Sequence, residues 1–267
     1  MARQRLGQHF LADASWRERI ARAVIAPAAG AGPGAGVWIE IGAGHGEMTA
    51  LLARHASRVV AVELDEKLLP GLRELAARLG NVTIAAGDVL SQDLGALAEG
   101  REYRVYGNIP YYITSPIIHH LFASSALPES VFLVMQREVA ERLAARPGGR
   151  EYGYLSAFTQ FYARGEIVFR IPPGAFRPPP KVDSALVALR LPGERAALEV
   201  RDEPAFVEFL KTCFSQKRKT LRNNLRSIAA KGRAEALLKE CGIRPDARAE
   251  QLGLPEMARL FARVQAG

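Results

Sequence analysis

Hydrophobic positions along the first two thirds of the chain switch repeatedly between two patterns. Short continuous apolar runs occur at Val37–Ile41, 58–64, Val82–Ala86 and 131–135, with a briefer one at 104–107. Runs of this length, rich in valine and isoleucine, predict strands buried on both faces. Stretches at helical spacing lie between them. Asp13 can cap a helix running to about Ala26, with Trp16, Ile20 and Val24 on one face. Residues 47–56 and 116–122 predict further helices, and 67–79 sets Leu68, Leu72, Leu75 and Leu79 on one stripe. Strand and helix in strict alternation predict an α/β fold built on a parallel, doubly wound sheet.

The last third reads differently. Residues 166–171 and 183–191 predict two strands joined by a proline-rich loop, 172–181, as an antiparallel edge. A Gly/Ala/Pro linker spans 28–36, and 193–201 reads as a second linker. From 203 onward the spacing is helical only: Phe206, Phe209 and Leu210, then Leu221 and Leu225, then Leu237 and Leu238, then Met257, Leu260 and Phe261. This divides the chain into an expected catalytic domain over 1–194, with a basic N-terminal arm, and a small helical domain over 195–267.

The candidate chemistry gathers at the ends of the predicted parallel strands. Glu40-Ile41-Gly42-Ala43-Gly44-His45-Gly46 joins the first of them to a helix. Glycines there allow positive φ and close approach of a ligand to the backbone. A dinucleotide fingerprint would read G-x-G-x-x-G. The G-x-G-x-G spacing led by an acid fits a cofactor without a pyrophosphate, such as S-adenosylmethionine. Glu63 ends the next strand, where a carboxylate can accept both hydroxyls of a ribose. Asp88, in Ala86-Gly87-Asp88-Val89, can accept from an adenine amine; a lone Asp at a strand end is also a common turn residue. Asn108-Ile109-Pro110-Tyr111 follows the fourth strand. The Asn side-chain oxygen and a backbone carbonyl of Ile109 or Pro110 can accept both hydrogens of an exocyclic amine. Pro110 stiffens the loop, and Tyr111 offers a flat face to a base. Gly42, Glu63, Asp88 and Asn108 thus share one sheet edge, where ligands of such sheets bind. Methyl transfer to an adenine amine is the reaction this set implies.

Charge adds a partner. The 267 residues carry 36 Lys+Arg against 28 Asp+Glu, a net +8, which favours a polyanionic ligand. Residues 211–233 hold Lys211, Lys217, Arg218, Lys219, Arg222, Arg226, Lys231 and Arg233 and no acid. On a helix Arg218, Arg222 and Arg226 would share a face, with Asn223 and Asn224 adding hydrogen bonds; the segment is expected to contact phosphates. Arg3 and Arg5 are a second candidate contact. Cys213 and Cys241 are the only cysteines, too few for a disulfide framework or a zinc site, so a reducing cytoplasm and no metal are expected. No apolar run reaches the roughly 18 residues of a membrane span, and the first twelve residues lack the apolar core of a signal peptide.

The whole set of motifs resembles the ribosomal RNA small-subunit adenine N6-dimethyltransferases, the kasugamycin-sensitivity methyltransferases. The matching stretches are Gly7-Gln8-His9-Phe10-Leu11, residues 40–46, Val62-Glu63-Leu64-Asp65, Gly87-Asp88-Val89, Asn108-Ile109-Pro110-Tyr111, Phe176-Arg177-Pro178-Pro179-Pro180-Lys181-Val182-Asp183-Ser184 and Phe214-Ser215-Gln216-Lys217-Arg218-Lys219-Thr220-Leu221. The earlier motifs are shared with the large-subunit adenine methyltransferases of macrolide resistance; the Lys-Val-Asp-Ser and Gln-Lys-Arg-Lys segments lean toward the small-subunit group. His9 departs from the Asn common at its position. The resemblance implies a class I S-adenosylmethionine methyltransferase sheet, Rossmann-like, with a C-terminal all-helical domain. It implies transfer of two methyl groups to each of two adjacent adenosines near the 3′ end of small-subunit rRNA, on a nascent 30S subunit, with S-adenosylhomocysteine as product. It adds His9, Leu11 and Val89 to the cofactor set and Phe176 to Tyr111 as a second wall for the flipped base; a loop anchor in the core is the lesser alternative for Phe176. Three other readings stay open: a large-subunit resistance-type enzyme, a DNA adenine methyltransferase, for whose recognition insert the roughly 70 residues after Leu191 are short, and a non-catalytic assembly factor. A monomer is expected, since no self-complementary apolar stripe stands out.

Overall fold

A computed structural model describes residues 9–26, 36–229 and 232–266. Arg3, Arg5, Gly7, Gln8, Lys231 and the linker 28–35 lie outside the described residues. In chain order the elements are β1 (Phe10–Leu11), α1 (Ala14–Ile25), β2 (Val37–Ile41), α2 (Glu47–Ala53), β3 (Arg58–Glu63), α3 (Leu69–Leu79), β4 (Val82–Ala86), α4 (Leu94–Leu97), β5 (Tyr103–Asn108), α5 (Thr114–Ala123), β6 (Ser130–Gln136), α6 (Arg137–Leu143), α7 (Tyr154–Tyr162), β7 (Arg164–Ile171), β8 (Phe176–Arg177), β9 (Ser184–Arg190), α8 (Glu203–Cys213), α9 (Leu221–Leu225), α10 (Arg233–Glu240) and α11 (Leu254–Gln265).

Every strand expected from an apolar run is present, within two residues of its expected ends. The chain folds into two compact units. The first takes residues up to Ala140 and Glu166–Leu191; the second takes Glu141–Gly165 and the residues from 192 onward. A single cut at 194/195 therefore puts 141–165 on the wrong side. The reason is the apolar face of α7: Phe161 lies 5.1 Å, ring to ring, from Phe206 of α8, inside a helical core that includes Leu210, Leu237, Met257 and Leu260. That pairing is tertiary and leaves no mark in local spacing.

The first unit is built on a seven-stranded sheet in the order β4-β3-β2-β5-β6-β9-β7. β2 pairs in parallel with both β3 and β5, β4 and β6 extend the parallel set, and β9 runs antiparallel to β6. Chain order reverses between β2 and β5, the topological switch point at which ligands of open α/β sheets bind. One face is sealed by Trp38, Tyr106 and Phe132 with Ile20 and Val24 of α1 and Leu52 of α2. Asp13 caps α1 as expected, accepting from the Ser15 and Trp16 amides. A separate two-stranded ladder, β1 with β8, matches Phe10 to Arg177 and Leu11 to Phe176. It ties the N-terminal motif to the proline-rich loop. Among the described residues no helix is long and apolar enough to cross a membrane.

Candidate active site

A pocket opens at the switch point. It is lined by the ends of β2, β3 and β5, the turn after β4, and the segments at 9–10 and 110–113. Counting the solvent at its open mouth, the space between these residues is about 810 Å³.

The floor is the glycine turn. Gly42, Gly44 and Gly46 all have positive φ, of 73°, 60° and 85°, a conformation that costs other residues steric strain. The turn is held from two sides. Gly42 and Ala43 donate to the Val62 carbonyl at 2.9 and 3.1 Å. The Gly44 amide donates to Glu63 Oε2 at 2.8 Å, while the Asp65 amide donates to Oε1 at the same distance. Each Glu63 oxygen keeps a second lone pair, so the carboxylate is braced by the backbone and still able to accept from a ligand. Beneath the turn, Glu40 is buried and accepts from the Thr49 hydroxyl of α2. Burial pushes its carboxyl up to about 8; the Thr49 bond opposes this, and the charges of Glu47 and Glu63 reinforce it. Asp88 accepts from the Leu90 amide through Oδ1 at 2.9 Å, the turn-capping role, and Oδ2 stays available. Leu64, 48% exposed, presents an apolar face to the pocket.

The opposite wall carries the amine-gripping candidates. Asn108 Nδ2 donates to the His9 main-chain carbonyl at 3.0 Å, which leaves Oδ1 as the free end of the amide. The Pro110 carbonyl accepts from the Ile113 amide at 3.2 Å and retains a lone pair. Tyr111 shares a hydrogen bond with the Ser184 hydroxyl at 2.8 Å. Its ring stacks on His9 with centroids 5.6 Å apart and planes 28° from parallel; burial raises its phenol pKa. His9 Nδ1 donates to the Pro178 carbonyl at 2.8 Å. His9 thus holds Asn108 and Tyr111 in place from one residue.

His9, Gly42, Gly44, Glu63, Asp88, Val89, Asn108, Pro110 and Tyr111 all line this pocket. Two expected members do not. Phe176 is 1% exposed and packs into the core with Trp38 and Ile20, because its pairing in β8 turns it inward; it is no wall for a base here. Leu11 is buried in the same core. Leu64, Tyr112 and Ile113 line the pocket without having been singled out; the apolar positions directly after Glu63 and Tyr111 were the available signal.

In the helical unit the basic segment differs from expectation. α9 covers only 221–225, so Lys217, Arg218 and Lys219 sit on the preceding turn and do not align with Arg222. Arg222 is paired with Glu235 of α10 at 3.1 Å, and Arg233 with Glu240 at 3.4 Å: acids absent from the run arrive from elsewhere in the chain. Asn224 is buried and donates to the Cys213 carbonyl. Arg218, Lys219 and Arg226 are exposed and make no ion pair among the described residues. Lys217 is exposed too, its Nζ donating to the Arg150 carbonyl at 3.2 Å. No group of metal-ligating side chains occurs among the described residues.

Comparison with known proteins places the site in context. Residues 1–266 match the family described as ribosomal RNA adenine dimethylase. A protein of Xanthomonas euvesicatoria pv. vesicatoria named ribosomal RNA small subunit methyltransferase A is 42% identical over 260 residues, covering 97% of this chain and 95% of that one. Its namesake in Xanthomonas campestris pv. campestris is 41% identical over 259 residues, with the same coverage. Among solved structures, a dimethyladenosine transferase from Plasmodium falciparum superposes with a TM-score of 0.81 at 23% identity over 97% of this chain and 98% of that one; it establishes the fold. The 23S rRNA methyltransferase ErmE gives 0.68 at 26% identity over 96% and 99%.

Proposed function

The chain belongs to the ribosomal RNA adenine dimethylase family, and on that premise we propose that it dimethylates N6 of adenosines in small-subunit rRNA. The observation that carries the mechanism is the orientation of Asn108. With Nδ2 committed to the His9 carbonyl, Oδ1 is presented as an acceptor. Together with the Pro110 carbonyl it can take both hydrogens of the adenine amine. Gripped in this way, the amine nitrogen directs its lone pair out of the ring plane and becomes nucleophilic.

S-adenosylmethionine is the cofactor we assign to the glycine-turn side of the pocket, where it would supply an electrophilic methyl. Glu63 would accept from its ribose hydroxyls, Asp88 Oδ2 from its adenine amine, and Leu64 would cover the adenine face. Catalysis by the chain is then mainly positioning and electrostatics. No general base is required, because the N-methylated ammonium is acidic enough to lose its proton to water. Tyr111 would stack on the target base, which must leave its own stack to arrive; stacking of about 1–3 kcal/mol per base offsets much of that cost.

The adenosines are taken to be two neighbours near the 3′ end, the RNA to be part of a nascent 30S subunit, and the enzyme to work as a cytoplasmic monomer. Label transfer from S-adenosylmethionine to undermethylated small subunits, large subunits and naked rRNA, followed by nucleoside analysis, tests the reading. N6,N6-dimethyladenosine on small subunits alone is expected. Label on large-subunit RNA would move the chain to the resistance-type activity. Cofactor binding with no label anywhere would leave an assembly factor.

A further inference from the structure

Two tyrosines sit side by side at the mouth of the pocket with opposite environments. Tyr111 and Tyr112 open the 3-10 turn Tyr111–Ile113. Three residues per turn set successive side chains about 120° apart, so the two rings diverge and cannot close on one base from both sides. Tyr111 is engaged through Ser184 and His9. Tyr112 is 64% exposed, the most exposed of the large hydrophobic residues among those described, yet it lines the same pocket. Its hydroxyl has no hydrogen-bond partner among the described residues. An aromatic ring left bare on the rim of a nucleic-acid site has a physical use: it can cover the face of an unstacked base.

We propose that Tyr112 is a stacking platform for the nucleotide next to the target adenosine. The inference rests on the rRNA adenine methyltransferase reading above. Flipping one adenosine breaks its stacking with the neighbour and exposes that neighbour's face to water. Tyr112 restores a partner for it just outside the pocket while Tyr111 serves the target inside. Tyr112 thereby holds the strand in the open form and contributes to substrate affinity, with no part in cofactor binding. Aromatic stacking is tolerant of base identity, so it would serve either of two adjacent adenosines in turn.

The test is steady-state methylation of undermethylated small subunits by the full chain, Tyr112→Ala and Tyr112→Phe, with cofactor affinity measured separately. The alanine variant is expected to raise KM for the subunit by about 5- to 150-fold, the equivalent of one lost base stack. The phenylalanine variant should stay near the unaltered chain, and cofactor affinity and the salt dependence of binding should not move. An unchanged KM in Tyr112→Ala overturns the assignment, as does a phenylalanine variant as impaired as the alanine one, or a matching loss of cofactor affinity. Failure of the unaltered chain to methylate small subunits overturns the functional reading itself, and this platform with it.

Discussion

The Asn108 side-chain amide donates from Nδ2 to the main-chain carbonyl of His9, 3.0 Å away and 99 residues earlier in the chain. This bond decides which end of the amide faces the pocket. Asn108→Ala removes the acceptor and is expected to slow the chemical step about 10²–10³-fold, the typical loss for one group that stabilises charge at a reacting centre. Asn108→Asp is the sharper variant. It keeps an acceptor but turns a carboxylate oxygen toward the His9 carbonyl, so it should fail as badly as alanine. Single-turnover rates beside calorimetric cofactor affinity check both; lost cofactor affinity with an unchanged single-turnover rate would remove Asn108 from the chemistry.

Glu63 braces the glycine turn and the strand end together, taking the Gly44 and Asp65 amides on its two oxygens. Glu63→Gln replaces one acceptor with a donor, which then faces a backbone N–H in a buried place. An unsatisfied pair of that kind costs about 1–3 kcal/mol. Cofactor affinity should fall about 10- to 100-fold, read by calorimetry, with a smaller loss of thermal stability.

The buried Glu40 sets a pH dependence of stability. Its carboxyl is raised from 4.5 to about 8, burial being the first cause. Between those values the unfolded chain has lost the proton and the folded one keeps it. Stability therefore falls as pH rises from about 4.5 to 8, by at most about 1.4 kcal/mol per unit, and levels off above. Glu40→Gln keeps an acceptor for Thr49 and cannot titrate. Urea midpoints at pH 5.5 and 8 should show the unaltered chain losing stability relative to this variant; parallel curves for the two proteins would contradict it.

Much of this was legible in the sequence, and the gaps have one cause. The strand ends that carry Gly42, Glu63, Asp88 and Asn108 follow from apolar runs and their punctuation, and all four line the pocket. Phe176 and the face of α9 could not. Phe176 is turned into the core by pairing with Leu11, 165 positions earlier. Arg222 is neutralised by Glu235 from the next helix. α7 leaves the sheet unit because its aromatic face finds α8. Each depends on a partner distant in the chain, which composition and periodicity do not encode.

The inward turn of Phe176 has its own consequence. Phe176→Ala should open a cavity in the core and destabilise the protein by about 3–5 kcal/mol. Phe176→Leu should retain most activity, because the residue packs and does not stack. Thermal melts alongside methylation rates separate the cases. A stable, inactive Phe176→Leu would return this ring to the base pocket.

The basic segment should read out in salt. Lys217, Arg218, Lys219 and Arg226 are exposed, and among the described residues only the Lys217 side chain makes a hydrogen bond, to the Arg150 backbone carbonyl, which it can exchange for a phosphate. Neutralising Lys217, Arg218 and Lys219 together to Gln should flatten the plot of log affinity against log salt by about 1 per cation that meets a phosphate, and weaken RNA binding uniformly. Arg222→Gln should do less, because Arg222 already serves Glu235 at 3.1 Å; its loss strands a glutamate on α10 as well as removing a cation. The ordering is the test. If Arg222→Gln alone changed the slope as much as the triple variant, the Glu235 pair would have to open on RNA binding, and the phosphate contact would lie on α9 and not on the turn before it.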